Sequence, residues 1–388
     1  MKISQVKTFF VEGVKYNWTL LKIETDAGIH GWGEATNWPG SPLIEAACRH
    51  IGERIIGLDA RQIDFIWTKL YRDMNWLGQA GPLLSAISAV DIALWDIKGK
   101  ALGVPVYELL GGAYRKKVLL YANYWFIGGG HSPDDYARQA KATVANGFTA
   151  LKFDPFAHVN YSYGTDLSDN NGLTEPQKIL AVELVAAVAE AVGPDIPLAI
   201  ETHAFLNGPT AVKMARRLAK LNFNCMWYEE PALPEFPDAI ADIRRQIPLP
   251  VCVGERLHSR FMLRGILERH AADIVMPDVT RCGGISELRK MANLAETFNI
   301  PVAPHNPNGP ISTIASAHTM ATVPNFFRQE LMVNDVPWRD GCLSHPLPIH
   351  GGFFHLPDRP GLGFDLNEAE LLKHPGLRVQ PTDRSFYV

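Results

Sequence analysis

Apolar and polar positions alternate over the first part of the chain and then give way to a helical repeat. The segments KTFFVEG (7–13) and TLLKIETDAGIHGWGEA (19–35) alternate around a DAG turn, which predicts an antiparallel hairpin. The segment PLLSAISAVDIALWDIKGKAL (82–102) has apolar residues at helical spacing, and Gly103 and Pro105 follow it as helix breakers. The pattern predicts a small α+β domain over residues 1–115.

From residue 116 the pattern changes to short apolar segments separated by amphipathic helices. Eight segments are candidate strands, namely VLLYANY, ALKFD, PLAIETH, CMWYEEP, LPVCVGE, ADIVMPDV, IPVAPHN and NFFRQE, the last being weakly strand-like. Strands alternating with helices indicate repeated βα units and a parallel sheet. We therefore predict an α/β fold with a (β/α)8-type barrel over residues 116–350. Residues 351–388 leave this rhythm, and we expect them to return to the first domain.

Composition narrows the class of protein. The 388 residues carry a net charge of −4 without a basic stripe, which argues against nucleic-acid binding. No apolar run reaches the length of a membrane span, and MKISQVKTFF lacks the apolar core of a signal peptide. The five cysteines contain no CxxC pair. Reduced thiols in a cytoplasmic protein fit this usage best.

Ionisable residues follow the candidate strands in order along the chain. They are Lys152, Asp154, Glu201, His203, Glu229, Glu255, Asp278, His305 and Glu330. Taken singly, each is most simply a solvated loop residue or a helix N-cap. Taken together, they fall where the carboxyl ends of barrel strands surround one mouth, which is where active sites form in this fold. We therefore interpret them as one site.

Two groups in this set predict specific chemistry. Glu201, Glu229 and Glu255 come from adjacent strands, and an all-oxygen set of ligands suits Mg²⁺. Zinc ranks behind, because no HExxH motif is present. Asp278 and His305 lie on the next two strands, where a carboxylate bonded to one imidazole nitrogen would leave the other to accept a proton. The alternative for His305 is a histidine held within the barrel wall.

The motifs GWGEA, ALWDIKGKALGVPVYELLGG, YEEP, GER, PDVTRCGGISE and APHNPNGP carry a family resemblance over nearly the full length. The chain resembles the enolase superfamily, in its mandelate racemase branch. Within that branch it is similar to the sugar-acid dehydratases related to galactonate dehydratase, which share GER followed by SRF and APH followed by GPI. The resemblance implies a capping domain, a modified TIM barrel and a C-terminal return. It also implies a homo-oligomer, either a dimer or an octamer.

The resemblance further implies a reaction. An acid sugar would lose the proton α to its carboxylate and then its β-hydroxyl, giving a 2-keto-3-deoxy acid in a Mg²⁺-dependent step. On this chain the implied roles are metal ligands at Glu201, Glu229 and Glu255, a base at Asp278 and His305, and an acid at His203. The resemblance also implies a hydrogen bond between Glu330 and the substrate carboxylate, or the enediolate oxygen that it becomes.

Two positions depart from the family pattern. Glu201 stands where the first metal ligand is usually Asp, and the extra methylene moves the carboxylate by about 1.5 Å. The Lys-x-Lys motif of the racemases is absent, because the residue two positions after Lys152 is Asp154. Lys152 is predicted to be catalytic, to contact substrate or to neutralise charge. Asp154 is predicted to pair with Lys152 or to accept a hydrogen bond from a substrate hydroxyl.

Substrate contacts and competing functions complete the predictions. We expect Tyr124, Trp125 and Arg256 near the substrate, with further contacts from loops bearing Trp18, Trp38 and Trp76. For each of these aromatic residues, packing in the core is an equally good alternative. The polar segment 157–175 is a further candidate contact, and its alternative is a surface insertion. A racemase, epimerase or cycloisomerase acting on the same site is the first alternative function. A catalytically idle barrel that only binds a ligand is the second.

Overall fold

The structure, a computed structural model, describes residues 1–14, 17–37, 42–157 and 173–377. The strands within these residues are β1 Ile3–Val11, β2 Trp18–Thr25, β3 His30–Glu34, β4 Lys117–Asn123, β5 Leu151–Phe153, β6 Leu198–Glu201, β7 Cys225–Glu229, β8 Val251–Val253, β9 Ile274–Val275, β10 Gln329–Met332, β11 Ile349–His350 and β12 Phe353–His355. The helices are α1 Pro42–Glu53, α2 Ile63–Asp73, α3 Gly81–Leu102, α4 Val106–Leu109, α5 Pro133–Ala145, α6 Glu175–Val192, α7 Gly208–Ala219, α8 Pro237–Gln246, α9 Arg260–Glu268, α10 Gly284–Thr297, α11 Pro310–Met320 and α12 Glu368–Leu371. Trp38 and residues 158–172 of the polar segment lie outside the described residues.

The N-terminal strands form the antiparallel sheet that the alternation predicts, in the order β1-β2-β3. The predicted long helix is α3, whose residues are buried on nearly every side. It ends at Gly103, whose φ of 72° is the left-handed conformation that glycine adopts without strain. Gly33 lets β3 lie directly against α3, because a Cβ there would collide with the Ala89 carbonyl oxygen. The second glycine of GWGEA, Gly33, is thus required for the packing of sheet against helix.

The second part of the chain is a parallel sheet with helices between its strands. Strands β4 to β9 pair in chain order, and β10 pairs parallel with β4. The predicted strand IPVAPHN forms only isolated parallel bridges, at Val302 with Val275 and at His305 with Asp278. Phe326 forms a parallel bridge with Val302, so the predicted segment NFFRQE also pairs with its neighbour in the sheet. The chain is therefore a mixed α/β protein with a parallel sheet.

A compact apolar cluster receives side chains from successive parallel strands. Its members are Tyr121, Ala150, Ala199, Met226, Trp227, Cys252, Ile274, Met276 and Ala303. Strand alternation carries the same face two residues further along. Glu201 and Glu229 follow Ala199 and Trp227 in this way, at the carboxyl ends of their strands. The polar residues predicted as a site therefore begin where this apolar cluster ends.

Glu255 breaks the alternation and depends on a glycine to do so. It lies three residues after Cys252, which would place it on the opposite face of a regular strand. Gly254, between them, has a φ of 148°, and a Cβ there would lie 2.6 Å from the backbone nitrogen of Met276. The glycine of the GER motif therefore permits both the turn and the close approach that direct Glu255 towards the other two glutamates.

The C-terminal residues contact both parts of the molecule. Strand β12 pairs antiparallel with β4, with Phe354 opposite Val118. Further on, Pro375 bridges Val11, and Glu368 accepts a 2.6 Å contact from Lys22 of β2. None of the helices in the described ranges is long and apolar enough to cross a membrane.

Candidate active site

Three glutamates converge at the carboxyl ends of neighbouring strands. Glu201 ends β6, Glu229 ends β7 and Glu255 follows β8, and one carboxylate oxygen of each lies within 4.8 Å of the others. All three are buried. Oε2 of Glu201 is buried and forms an ion pair with Nζ of Lys152 at 3.3 Å, but no hydrogen bond within the described part of the chain. Three converging carboxylates that offer only oxygen ligands fit a hard divalent cation such as Mg²⁺.

The charges at the site show why a cation would stabilise it. Burial and the neighbouring Glu201 carboxylate raise the pKa of Glu229 well above its usual value. Lys152 offsets part of this repulsion, since its Nζ lies 2.6 Å from Glu229, 2.9 Å from Glu330 and 3.3 Å from Glu201. Burial opposes the charge on Lys152, but Glu229 and Glu330 outweigh it and hold its pKa well above normal. Lys152 thus lies within the carboxylate cluster, 2% exposed.

Asp278 and His305 form the dyad that the sequence predicts. Nδ1 of His305 lies 2.8 Å from Oδ2 of Asp278, and its Nε2 lies 2.8 Å from Oε2 of Glu255. Burial would lower the pKa of His305, but the carboxylates of Glu330 and Glu255 outweigh it and raise the pKa above its ordinary value. The dyad therefore presents one imidazole nitrogen to the glutamate cluster while the other is held by Asp278.

Several donors hold Asp278 in place. Thr280 donates its backbone N–H to Oδ1 at 2.8 Å, and the side-chain amide of Asn308 donates at 2.9 Å to Oδ2. The Arg281 guanidinium lies 3.4 Å from Oδ2. Burial opposes the charge of Asp278, yet Arg281 and His305 keep its pKa below the ordinary value. The supporting roles of Thr280, Asn308 and Arg281 are not predicted from the sequence, although all three lie in the motifs PDVTRCGGISE and APHNPNGP.

The N-terminal part of the chain reaches this region through Glu34. Its carboxylate accepts the backbone N–H groups of Gly309 at 2.7 Å and Ser312 at 2.8 Å, at the start of α11. The Thr36 hydroxyl donates to it at 2.6 Å. A carboxylate at a helix N-terminus satisfies donors that lack partners within the helix. The loop between His305 and α11 is thereby tied to β3.

Glu330, on β10, is the last of the predicted polar site residues along the chain. Its Oε1 accepts from the Asn123 side chain at 2.6 Å, and its Oε2 accepts from the backbone N–H of Asn306 at 2.7 Å. Burial opposes its charge, but Lys152 and His305 keep its pKa below the ordinary value. Nε2 of His305 lies 3.9 Å from Oε2. Glu330 is thus ionised and rigidly held beside the dyad.

His203 forms a second dyad, with Asp154. Its Nδ1 lies 2.8 Å from Oδ2 of Asp154, and its Nε2 lies 3.9 Å from Oε2 of Glu201. Strand β6 ends at Glu201, so His203 reaches the site through a left-handed backbone turn with φ of 49° rather than by continuing the strand. The sequence predicts that Asp154 pairs with Lys152 or accepts a hydrogen bond from a substrate hydroxyl. The structure pairs it with His203, a contact that the sequence does not predict.

Comparison with known proteins agrees with this arrangement. The family model described as mandelate racemase / muconate lactonizing enzyme, N-terminal domain, matches residues 7–111, and the model described as enolase C-terminal domain-like matches residues 135–370. A D-xylonate dehydratase of Haloferax volcanii is 35% identical over 94% of this chain and 87% of its own length. A D-galactonate dehydratase of Ralstonia nicotianae is 34% identical over 96% of this chain and 94% of its own length. The chain belongs to the mandelate racemase/muconate lactonizing enzyme family of the enolase superfamily.

Solved structures of this superfamily resemble the chain throughout. A mandelate racemase/muconate lactonizing enzyme-like protein from Rubrobacter xylanophilus has a TM-score of 0.87 and 33% identity, covering 98% of each chain. The 3,6-anhydro-D-galactonate cycloisomerase from Zobellia galactanivorans has a TM-score of 0.83 and 27% identity, covering 96% of this chain and 99% of its own. The resemblance predicted from the sequence motifs is confirmed.

The residues predicted to contact substrate divide into two groups. Tyr124 borders a small cavity together with Phe126, Lys152, Asp154 and His203. Trp125 does not border it: its ring packs edge-on against Tyr136 and Phe153 in the core, and its indole N–H donates to the Lys152 carbonyl at 2.9 Å. A substrate contact thus has a structural basis for Tyr124 that it lacks for Trp125.

Arg256 and two tryptophans also have defined surroundings. Arg256 donates to the His203 carbonyl at 2.8 Å and lies 3.4 Å from Glu255. It therefore connects the backbone of His203 to the third glutamate. Trp18 is buried against Trp338, with ring centroids 5.0 Å apart. Trp76 is 94% exposed. Contacts of these three residues with a substrate stay predictions.

Proposed function

We propose that the protein is a Mg²⁺-dependent sugar-acid dehydratase that converts an aldonate, such as galactonate or a relative, into a 2-keto-3-deoxy acid. The observation that carries the proposal is that two imidazoles, each bonded through Nδ1 to an aspartate, face one cluster of three glutamates. The names of the curated relatives, D-xylonate and D-galactonate dehydratase, support the class of substrate and the hydro-lyase reaction.

The proposed reaction divides its proton transfers between the two histidines. Mg²⁺ held by Glu201, Glu229 and Glu255 would act as a Lewis acid on the substrate carboxylate. Nε2 of His305 removes the proton α to that carboxylate, with Nδ1 held by Asp278. His203 donates a proton to the β-hydroxyl, the Cβ–O bond breaks, and water leaves. The resulting enol takes up a proton at the β-carbon as it becomes the 2-keto-3-deoxy acid.

The remaining polar residues serve this reaction by charge and position. Glu330, beside Lys152 and His305, is placed to accept a hydrogen bond from the protonated base or from a substrate hydroxyl. Lys152 reduces the repulsion among the carboxylates, and the substrate carboxylate adds a further negative charge to the same region. Tyr124 on the cavity wall is the proposed contact for the rest of the sugar chain. Arg256, which holds the His203 carbonyl, is proposed to act through His203.

A stereochemically complete set of hexonates, pentonates and aldarates tests the proposal. Each acid is incubated with the protein with and without Mg²⁺, and α-keto acids are measured as semicarbazones. We expect Mg²⁺-dependent keto-acid formation from at least one aldonate and none after chelation. Mg²⁺-dependent exchange of the α-proton in heavy water without keto acid would point instead to an epimerase or cycloisomerase. Absence of both reactions with every acid would support a barrel that only binds a ligand.

We also infer a closed (β/α)8 barrel over residues 116–350, with residues 1–115 and 351–388 forming a capping domain and its return. Pairing of β10 with β4, and the apolar cluster fed by successive strands, support closure. A cytoplasmic homo-oligomer, dimer or octamer, remains part of the proposal. Light scattering of the purified protein tests the oligomeric state, and a crystal structure tests closure.

A further inference from the structure

Asp154 holds the His203 ring in a defined arrangement. Its Oδ2 lies 2.8 Å from Nδ1 of His203, and its Oδ1 accepts the backbone N–H of Phe156, two residues on, at 2.7 Å. The aspartate side chain is 3% exposed. Both carboxylate oxygens are thus engaged, and the orientation of the carboxylate is set by its own backbone turn. An acceptor fixed in this way fixes the ring that donates to it.

The Asp278–His305 dyad is built in the same way. Asp278 presents Oδ2 to Nδ1 of His305 at 2.8 Å, while its Oδ1 accepts the backbone N–H of Thr280, again two residues on, at 2.8 Å. In both cases the aspartate lies at the carboxyl end of one strand segment and the histidine at the end of the next. The two pairs use the same atoms, at the same distances and at corresponding strand positions. Asp154 therefore stands to His203 as Asp278 stands to His305.

The backbone of His203 requires such support. Its φ of 49° is a left-handed conformation that residues with a side chain rarely adopt, so it persists only where the surrounding contacts hold it. Its N–H donates to Oε1 of Glu201 at 2.7 Å, and its carbonyl accepts from Arg256 at 2.8 Å. These two bonds position the backbone, but neither controls rotation of the imidazole. The contact with Asp154 supplies that control.

We propose that Asp154 is the positioning residue of the leaving-group acid, rather than a substrate contact. Because a carboxylate accepts a hydrogen bond, Nδ1 of His203 carries a hydrogen, and Nε2 is the nitrogen that exchanges a proton with the β-hydroxyl. Removal of Asp154 leaves the imidazole free to rotate and to change tautomer, so β-hydroxyl departure slows while proton abstraction by His305 continues. The inference rests on the proposed dehydration.

The experiment compares Asp154→Ala and Asp154→Asn in the full-length Mg²⁺-loaded protein, with an aldonate that the wild type dehydrates. Keto-acid formation gives kcat and KM, and mass spectrometry of recovered substrate in heavy water gives α-deuterium incorporation. For Asp154→Ala we expect kcat to fall about 10- to 100-fold with KM nearly unchanged, as for other partners that orient a functional histidine. The ratio of deuterium incorporated to keto acid formed should rise at least tenfold.

Asp154→Asn tests the geometry separately, because it keeps the size of the side chain but has one accepting oxygen where Asp154 uses two. Its NH2 group either faces the Phe156 N–H or donates to Nδ1 of His203 and imposes the other tautomer, so kcat should again fall and the ratio of exchange to dehydration should rise. Because the side chain keeps its size, this variant decides the question should the alanine variant fail to fold. A rise in KM with unchanged kcat would overturn the proposal, since it would make Asp154 a substrate contact. A parallel loss of exchange and dehydration would also overturn it, because Asp154 would then support the whole site.

His203→Asn, measured alongside, separates this inference from the proposed function. If it dehydrates aldonates as well as the wild type, the acid assignment itself fails, whatever Asp154 does. If it raises the ratio of exchange to dehydration but Asp154→Ala does not, only the positioning role fails. We expect both variants to raise that ratio, His203→Asn more strongly.

Discussion

The two dyads share one hydrogen-bonding design but lie in different surroundings. His305 is 3% exposed, and its partner Asp278 receives support from Asn308 and Arg281. The His203 ring is 17% exposed and borders the small cavity. A proton α to a carboxylate is weakly acidic, so its base benefits from a fixed, water-excluded position, whereas the acid for a leaving hydroxyl needs a path for the departing water. The difference in burial matches the difference in proposed role.

Replacing the buried base is expected to have the largest effect. His305→Asn removes the atom that accepts the α-proton, so both α-deuterium exchange and keto-acid formation should fall about 10³-fold. The His203–Asp154 dyad cannot replace His305 as the base, because it lies next to Glu201, whereas His305 lies next to Glu255. A matched control is His318→Asn, a fully buried histidine of α11 that donates to the Leu362 carbonyl outside the site. Its activity per folded molecule should stay within about threefold, and exchange persisting in His305→Asn would show that another group is the base.

Shortening the glutamates at the two ends of the cluster should affect the two dyads differently. Glu201→Asp withdraws the carboxylate by about 1.5 Å from the N–H of His203, and Glu255→Asp withdraws it from Nε2 of His305. Both changes should weaken Mg²⁺ binding, about 10- to 100-fold as judged by titration of activity. Glu201→Asp should also raise the ratio of exchange to dehydration, whereas Glu255→Asp should lower both rates together. Identical ratios in the two variants would mean that the ends of the cluster are not functionally distinct.

Strand periodicity was sufficient to predict one part of this site and not the rest. Glu201 and Glu229 follow apolar residues of the inner face by two positions, so alternation alone places them. Glu255 is out of phase, and only the conformation of Gly254 brings it to the others. The Asp154–His203 contact spans two strands and a left-handed turn. One feature of the sequence could have predicted the Asp154–His203 contact. As with Asp278 and His305, the aspartate follows one strand and the histidine follows the next.

The fold, like the site, has parts that the sequence pattern predicts and parts that it does not. Hairpin β2–β3 and helix α3 follow directly from local alternation and helical spacing, because neighbouring residues determine them. The segment IPVAPHN was predicted as a strand but forms only single bridges at Val302 and His305. Its prolines remove backbone donors that a longer ladder needs. The contact of Glu34 with α11 spans 275 residues, a separation that no local pattern can reveal.

Asn308 is expected to matter less than the groups it supports. Asn308→Leu keeps the approximate size of the side chain but removes the amide that donates to Asp278. The carboxylate then loses a buried donor, and we expect exchange and dehydration to fall together by about tenfold. Steady-state kinetics and deuterium incorporation measure the two rates, with Asn308→Asp as a harsher variant that places two carboxylates together. A change in the ratio of exchange to dehydration would contradict the assignment of Asn308 to the base dyad.

Glu34 supports the same dyad from a greater distance and should have the smallest effect on catalysis. Glu34→Gln replaces one accepting oxygen by a donor facing a backbone N–H of α11, so we expect a loss of about 1–3 kcal/mol in the free energy of unfolding. Activity should fall only about threefold. Asp91→Asn is the matched control, because Asp91 accepts from Ser286 in the first turn of α10, away from either dyad. It should cost stability without changing kcat.

The pH dependence of the same variants sharpens this last prediction. Burial raises the pKa of Glu34 from its ordinary 4.5 to about 7, with Asp278 adding repulsion. A raised folded-state pKa means that the contribution of Glu34 is fully present below about pH 4.5 and is lost as pH rises through 7. Between these values the wild type should lose up to about 1.4 kcal/mol per pH unit from this one group, and Glu34→Gln should show a correspondingly shallower slope in denaturant unfolding. An unchanged slope would mean that Glu34 stays ionised throughout, held by its three donors.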